Sequence, residues 1–501
     1  MSTREKYESL SPFDHCVPRA YYNLALYIPL KTRATPEEAF ELLHDGLRRV
    51  FDRLPWLNGK VQYQSPETPG WRPGQLELRY TPVQGRLAQL KFNSLKTDLD
   101  YVSLQDLGFP VDCFDDSEIA PHGFFADLNA PRDVFVGQAN FLPGGCILVS
   151  AIHHNASDEG AYFDILRLWA DECAALHTKG APTIQTPADH QNRGVLKQIW
   201  SQENTVSSIE VIDLETWGLV GLEAADFRQE ASVLPGPAPQ PPKPADRPLK
   251  AGVFYISPDN LTALRDHVNG EMGASGAASV NDALCALIWR CLIQARSMAS
   301  PRKPSETPEE GRNVGRVEES RLNMVYDGRS HYSSALPDIY LGNLTFNVLS
   351  SLPLERLAGA DSTVGSVAAL LRHNAGRADS AKLLNLFCLL DNLSDYDELI
   401  RLKRKRTSSV EGNNLSISSM VNVQMDSVCF GKGPVFGNNG HVEAARLLMG
   451  TINSWTRTCL ISPRTKNGAV EFVAKMYDEE FELLMADTQF AQYVSCLSWP
   501  E

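Results

Sequence analysis

Residues 234–250 read LPGPAPQPPKPADRPLK, with seven prolines among them. Each proline fixes its φ and gives up its backbone N–H, so no helix can pass through this stretch and no sheet ladder can use it. A semi-rigid extended connector is expected instead. It lies near the middle of a 501-residue chain, a length beyond one ordinary compact core. The chain is therefore expected to divide into an N-terminal domain at 1–230, a proline-rich crossover at 231–250 and a C-terminal domain at 251–501. A second polar stretch, 300–321, reads as an exposed loop or insertion.

Both halves mix helix and strand signals. In TPEEAFELLHDGLRRVFDRLPWL (35–57), Phe40, Leu43, Leu47 and Phe51 repeat at helical spacing. Thr35 suits the N-cap, and Pro36, Glu37 and Glu38 suit the first turn. Residues 133–154 read as a hairpin around a Pro-Gly-Gly turn, its second strand, CILVSAI, running directly into His153 and His154. A helix should follow, with Phe163, Leu166 and Ala170 on one face. Past the prolines, SVNDALCALIWRCLIQAR (279–296) predicts a helix capped by Ser279, with Leu284, Leu287, Ile288 and Cys291 as its buried stripe. LSISSMVNVQM (415–425) and AVEFVAKMY (469–477) read as strands, the latter followed by a helix.

Several function classes are excluded by composition. The net charge is −14 without a sustained basic face, so nucleic acid is not an expected partner. The ten cysteines are scattered with no CxxC pair, so no metal site is expected. The chain starts with a polar stretch lacking the apolar core of a signal peptide, and no apolar run reaches the roughly 18 residues that span a bilayer. A cytoplasmic protein with no membrane partner is expected. With neither a Walker loop nor GxGxxG, nucleotide hydrolysis and dinucleotide redox find no support.

What remains is AIHHNASDEG (151–160). A histidine leaving a buried strand into a cleft can act as a general base, which acyl transfer requires when a hydroxyl or amine attacks a thioester. His154 is the candidate. Asp158, four residues on, is too far along an irregular turn to be assumed its direct partner. Folded beneath the loop and held by an arginine, it would serve geometry. The alternative is a histidine pair that only hydrogen-bonds locally.

HxxxD in this setting resembles the BAHD acyltransferases, whose relatives include fungal trichothecene 3-O-acetyltransferases and peptide-synthetase condensation domains. Five further segments, in the family's order, support the resemblance along nearly the whole chain. LSPFDHCVPRAYYNLALYIPL (10–30) is similar to the opening LSxxD and first strand. GLRRVFDRLPWLNGKV (46–61) and the 279–296 helix resemble the next two blocks. YDGRSHYSSALPDIYLGNLTFN (326–347) resembles the segment with the family's DGR and GN, and SISSMVNVQMDSVCFGKGPV (416–435) its tSW and DFGWG. The resemblance implies an α/β fold of two chloramphenicol-acetyltransferase-like domains joined by a long crossover, with an active-site channel between them. It also implies a monomer that transfers an acyl group, acetyl above all, from acyl-CoA to a small-molecule acceptor, such as a hydroxyl of a fungal secondary metabolite. No permanently bound cofactor is implied.

Carried over by position, His154 is the base and Asp158 takes the structural role. Arg329 would pair with Asp158 across the domains, and Gly342 and Asn343 would orient the site. Ser418 would offer a hydroxyl to the oxyanion, unless it is an ordinary strand serine, because Met420 stands where the family's tryptophan would donate. Phe430, Gly431 and Gly433 remain of DFGWG, with Cys429 and Lys432 as departures, and fall to coenzyme A support. Arg404, Lys405 and Arg406, in the one dense basic run RLKRKR, could meet phosphates, though such a run also fits a solvated loop. Glu159 departs from the glycine that usually follows the motif aspartate. Two other functions fit this sequence: N-acyl transfer from a carrier thioester, as in condensation domains, and a binding or cyclisation protein on the same fold that no longer acylates.

Overall fold

The apolar run GCILVSAIH is buried along its whole length, as expected of a strand covered on both faces. It is the second strand of the expected hairpin, with Pro143 and Gly144 at the turn. The structure is a computed structural model that describes residues 5–186, 192–203, 214–223, 247–273, 276–299, 318–359, 362–407, 412–423, 425–448, 450, 453 and 455–500. Residues 231–246 of the expected crossover and 300–317 of the expected insertion lie outside the described residues.

The N-terminal half contributes β1 (Lys6–Ser9), β2 (Tyr21–Pro29), β3 (Lys60–Tyr63), β4 (Leu76–Tyr80), β5 (Leu90–Ser94), β6 (Arg132–Asp133), β7 (Phe135–Leu142) and β8 (Gly145–His153). The C-terminal half contributes β9 (Lys250–Ile256), β10 (Glu319–Asp327), β11 (Thr345–Pro353), β12 (Leu415–Ser419), β13 (Ala444–Leu447), β14 (Thr458–Ile461), β15 (Val470–Met476) and β16 (Ser495–Ser498). They form three sheets, ordered β1-β4-β3-β6, β13-β2-β8-β7-β5 and β11-β10-β12-β14-β15-β9-β16. The fold is thus mixed α/β with a sheet-centred core in each half. One strand crosses the sequence division: β13 pairs antiparallel with β2, Ala444 opposite Tyr27 and Leu447 opposite Leu24. The C-terminal half therefore supplies an edge strand of the N-terminal sheet, so that β2 lies inside the sheet and β13 forms its edge.

Four helices matter below, numbered in chain order: α1 (Pro36–Arg53), α2 (Glu159–Thr178), α3 (Val280–Ala299) and α4 (Tyr396–Thr407). Thr35 and Glu38 close a capping box on α1, satisfying two otherwise orphaned N–H groups. Phe40, Leu43, Leu47 and Phe51 are buried against β8 and α2 in the first core. Ser279 and Asp282 exchange hydrogen bonds at the start of α3, and all four expected stripe residues of α3 are buried in the second core.

Two expectations need correcting. The 415–425 strand ends at Ser419, where the Ser419 hydroxyl accepts from the Val421 N–H and a turn begins; alternation persists past the point where a side chain captures the backbone. The exposed loop expected to reach 321 stops earlier. Glu319, Ser320 and Arg321 already pair with β11, and the buried Ser320 hydroxyl accepts from Trp289 Nε1 at 2.9 Å. No helix among the described residues is long and apolar enough to cross a membrane.

Candidate active site

The end of β8 is tied down residue by residue. The His154 N–H donates to Ala20 O at 2.8 Å, and Ala156 N–H to His153 O at 2.8 Å. Asn155 Nδ2 donates to Asp14 O at 2.6 Å and the Ser157 hydroxyl to Leu341 O at 3.1 Å. The loop is thus anchored to other segments at His154, Asn155 and Ser157, which fixes where the two imidazoles point.

The two histidines have different surroundings. His153 is fully buried, and burial pushes it down to about 3. His154 lines a cavity of about 260 Å³. Burial is the main reason its pKa falls to about 4, so the ring is neutral at neutral pH and can accept a proton. Its Nε2 lies 2.8 Å from the Tyr22 hydroxyl, and burial holds that phenol protonated, well above its ordinary pKa.

Asp158 does not touch His154; it caps α2 and joins the two halves. Its Oδ1 accepts from the Ala161 N–H at 3.0 Å and from Arg329 Nη2 at 2.9 Å. Its Oδ2 accepts from Arg329 Nη1 at 3.0 Å and from the Leu344 N–H at 2.9 Å. Arg329 also donates to Tyr340 O, to Gly342 O at 2.8 Å and to Asp327 Oδ1 at 2.8 Å. Burial works against the Arg329 charge, but Asp158 and Asp327 outweigh it and raise its pKa. A bidentate pair with all its remaining valences filled is the geometry in which a buried ion pair is fixed in one arrangement.

Gly342 and Asn343 stand where the loop meets the C-terminal half. A Cβ on Gly342 would fall 2.5 Å from Arg193 Nη1 and from the Tyr340 hydroxyl. Asn343 Nδ2 donates at 2.8 Å to both His154 O and Asp14 Oδ1. Asp14, fully buried, also accepts from the Asn343 and Ser11 N–H groups and from Arg193 Nη1. Asp14 and Arg193 are therefore part of the frame that holds the His154 loop. The sequence reading contained Asp14 only as the aspartate of LSxxD and missed Arg193 entirely.

The cavity lies between the two halves. Phe13, Tyr22 and Phe124 line it from the N-terminal side, and Val325, Ser418 and Leu460 from the C-terminal side. Ser418 does reach the cavity of His154, and its hydroxyl donates to Glu159 Oε2 at 2.8 Å. Burial pushes the Glu159 carboxyl up to about 7. Lys403 and Arg404 also line it, from α4. The basic run is thus helical rather than a loop, Lys403 Nζ donates to Cys16 O at 2.7 Å, and burial lowers the Arg404 pKa. The side chains of Lys405 and Arg406 lie outside the described part.

Phe430, Gly431 and Gly433 pack on α2 rather than line this cavity. Phe430 is fully buried with its ring edge-on to Trp169. Gly431 has φ +95°, and a Cβ there would sit 2.6 Å from Ala174 Cα. A Cβ on Gly433 would meet the His177 ring at 2.5 Å. Gly431→Ala is expected to cost about 3 kcal/mol, combining a left-handed backbone with a backbone clash. Urea unfolding measures this; a variant of wild-type stability with a raised KM for acyl-CoA would move the segment from packing to ligand contact. Among the described residues no cluster of His, Cys, Asp or Glu could hold a metal ion.

The chain as a whole resembles several known proteins. The Trichothecene 3-O-acetyltransferase-like N-terminal domain matches residues 20–173, and the Transferase family matches residues 129–453. An isocyanide synthase–NRPS hybrid of Aspergillus fumigatus is 29% identical over 97% of this chain, which spans only 31% of the hybrid's length. An eremophilane O-acetyltransferase of Penicillium roqueforti is 25% identical over 98% of this chain and 99% of its own. The crystal structure of F. sporotrichioides TRI101 complexed with coenzyme A and T-2 has the same fold, with a TM-score of 0.70 at 19% identity, covering 98% of this chain and 100% of that one. With more than half of its residues inside one family model, the chain belongs to the Transferase family.

Proposed function

We propose that this protein is an acyl-CoA-dependent O-acyltransferase, with acetyl as the transferred group, acting on a hydroxyl of a secondary metabolite of the fungal kind. The observation that carries the reading is His154 Nε2 facing the Tyr22 hydroxyl in a cavity between the two halves. Tyr22 occupies the position an acceptor hydroxyl would take. With the phenol donating, the proton of the neutral ring sits on Nδ1 and Nε2 offers its lone pair.

In the reaction, Nε2 takes the proton of the acceptor hydroxyl as its oxygen bonds to the thioester carbonyl carbon. The tetrahedral intermediate carries an oxyanion, which Ser418 is placed to meet. Collapse breaks the C–S bond, and the imidazolium returns its proton to the departing thiolate, leaving an ester and free coenzyme A. Asp158 and Arg329 keep the loop in place and take no part in the proton transfer. Arg404 is suited to a phosphate of the cosubstrate, and the Phe430–Gly433 segment supports it from behind α2. A cytoplasmic, monomeric state belongs to the same reading; size-exclusion chromatography checks the second part.

Incubation with acetyl-CoA and a panel of polycyclic alcohols, following free thiol, tests the proposal. Release by wild type and not by His154→Ala is expected; release unaffected by that substitution would overturn it. A second reading has its own support, since one relative is an isocyanide synthase–NRPS hybrid. Transfer to an amine from a carrier-bound thioester, and not from coenzyme A, would favour it. Thiol release by neither donor would leave a non-acylating binding protein.

The acid side of the pH profile is fixed by the lowered His154 pKa. Protonation abolishes the base, so activity is lost only as pH falls through about 4. Between about pH 5 and 6, where a histidine of ordinary pKa would already be losing activity, kcat/KM is expected to stay flat.

A further inference from the structure

Ser418 can serve the oxyanion only with its hydroxyl proton, and the structure gives that proton another destination. β12 lies inside the seven-stranded sheet, with Ser418 paired to Val325 of β10 on one side and Leu460 of β14 on the other. Its backbone is engaged in the ladder, so the side chain is what faces the cavity. A serine hydroxyl has one proton to give, and here it points at Glu159 Oε2. Met420 has no side-chain proton with which to replace it.

We propose that Glu159 governs the availability of Ser418: as a carboxylate it captures the hydroxyl proton, and once protonated it donates to Ser418 Oγ and frees that proton for the oxyanion. The inference rests on the acyl-transfer reading and deepens it, making Glu159 a positioning residue that acts through Ser418. One proton is taken up by the carboxylate from solvent, the direction of the Glu159–Ser418 hydrogen bond reverses, and no heavy-atom bond changes.

The surroundings allow such a switch. Glu159 is the first residue of α2, and burial is what raises its pKa; Ser418 opposes the rise and Asp158 adds to it. Arg329 is committed to Asp158 and Asp327. From β2 the Tyr22 phenol faces Glu159 and is itself raised by it. His154 is neutral across the relevant range, and Lys403 and Arg404 border the same cavity from α4.

The proposal is tested by pH–rate profiles of wild type, Glu159→Gln and Ser418→Ala, using thiol release from acetyl-CoA. Wild type should lose activity tenfold per pH unit above about 7, toward a floor roughly 10²-fold lower, the usual cost of one oxyanion donor. Glu159→Gln donates its amide N–H to Ser418 at every pH, so the alkaline fall should vanish. Ser418→Ala should be slow throughout and equally flat. An alkaline limb unchanged in Glu159→Gln overturns the proposal while leaving the acyl-transfer reading intact. A measurement independent of turnover separates the two ideas: the infrared C=O band of a protonated carboxyl in the intact protein. The Glu159 band is read in the difference between wild type and Glu159→Gln, because burial pushes the Glu8 carboxyl up to about 7 as well; it should titrate near neutral pH there and persist to higher pH in Ser418→Ala. Its absence from wild type overturns the proposal whatever the enzyme turns over.

Discussion

His154→Ala is expected to lower kcat/KM for acetyl transfer by about 10²–10⁴-fold, the range a positioned general base supplies. The melting temperature should change little. The side chain is part-exposed to the cavity, and among the described residues its Nε2 bonds Tyr22 and its Nδ1 has no hydrogen-bond partner. What holds the loop is the residue's backbone: its N–H on Ala20 O and its carbonyl under Asn343. Alanine keeps both. His153→Ala makes the contrasting control. That ring is fully buried and packs edge-on against Tyr21, so its removal should cost roughly 2–4 kcal/mol of stability as a core truncation and affect turnover less. Parallel thermal melts and thiol-release rates on the two variants separate the roles. If the His153 variant were the inactive one, the assignment of the base would be wrong.

The two neighbouring histidines also mark what the sequence could and could not disclose. The loop was legible because its signals are local: a buried strand, two imidazoles, an aspartate four residues on, a helix. Arg329, Gly342 and Asn343 were reached through motif resemblance alone, since nothing in their own stretches says that they meet Asp158. Phe430, Gly431 and Gly433 were reached through resemblance as support for structure and coenzyme A; the sequence did not disclose that the segment packs on α2, where the two glycines let it approach the helix. Tyr22 and Arg193 carried no signal at all. A tyrosine in a buried strand is ordinary, and only the pairing of β2 with β8, Tyr21 opposite His153 and Tyr22 opposite Ile152, brings it to the imidazole. Glu159 was visible as a departure from the family's glycine, but its meaning depends on Ser418, more than 250 residues away in sequence. Alternation over-extended β12 for a related reason: one serine hydroxyl ended the strand, and periodicity does not see hydrogen bonds.

Arg329→Ala is expected to destabilise the protein by about 3–5 kcal/mol, because it leaves a fully buried carboxylate with half of its donors gone. The remaining donors to Asp158 are the Ala161 and Leu344 N–H groups, which hold the cap on α2 and part of the junction with the other half. The loop should therefore loosen rather than unfold alone, and His154 should lose its position relative to Ser418, which sits on the opposite side of the cavity. Activity should fall by at least tenfold in protein that is still folded, since a displacement of about 1 Å at the reacting groups can cost far more than that. Arg329→Lys should not restore it. An ammonium cannot supply two parallel bonds to Asp158 while also reaching Tyr340 O and Gly342 O. Asp158→Asn keeps the shape and removes the charge, so it leaves Arg329 with Asp327 as its remaining acidic partner and should cost less than Arg329→Ala. Urea unfolding of both single variants and the double variant gives the coupling. The double substitution is expected to cost clearly less than the sum, because each single change strands a buried group that the other removes. Additive costs would mean that the pair is two independent surface-like contacts, and the rigid loop on which the placement of His154 depends would have to be held by its other anchors, at Asp14, Ala20, Leu341 and Asn343.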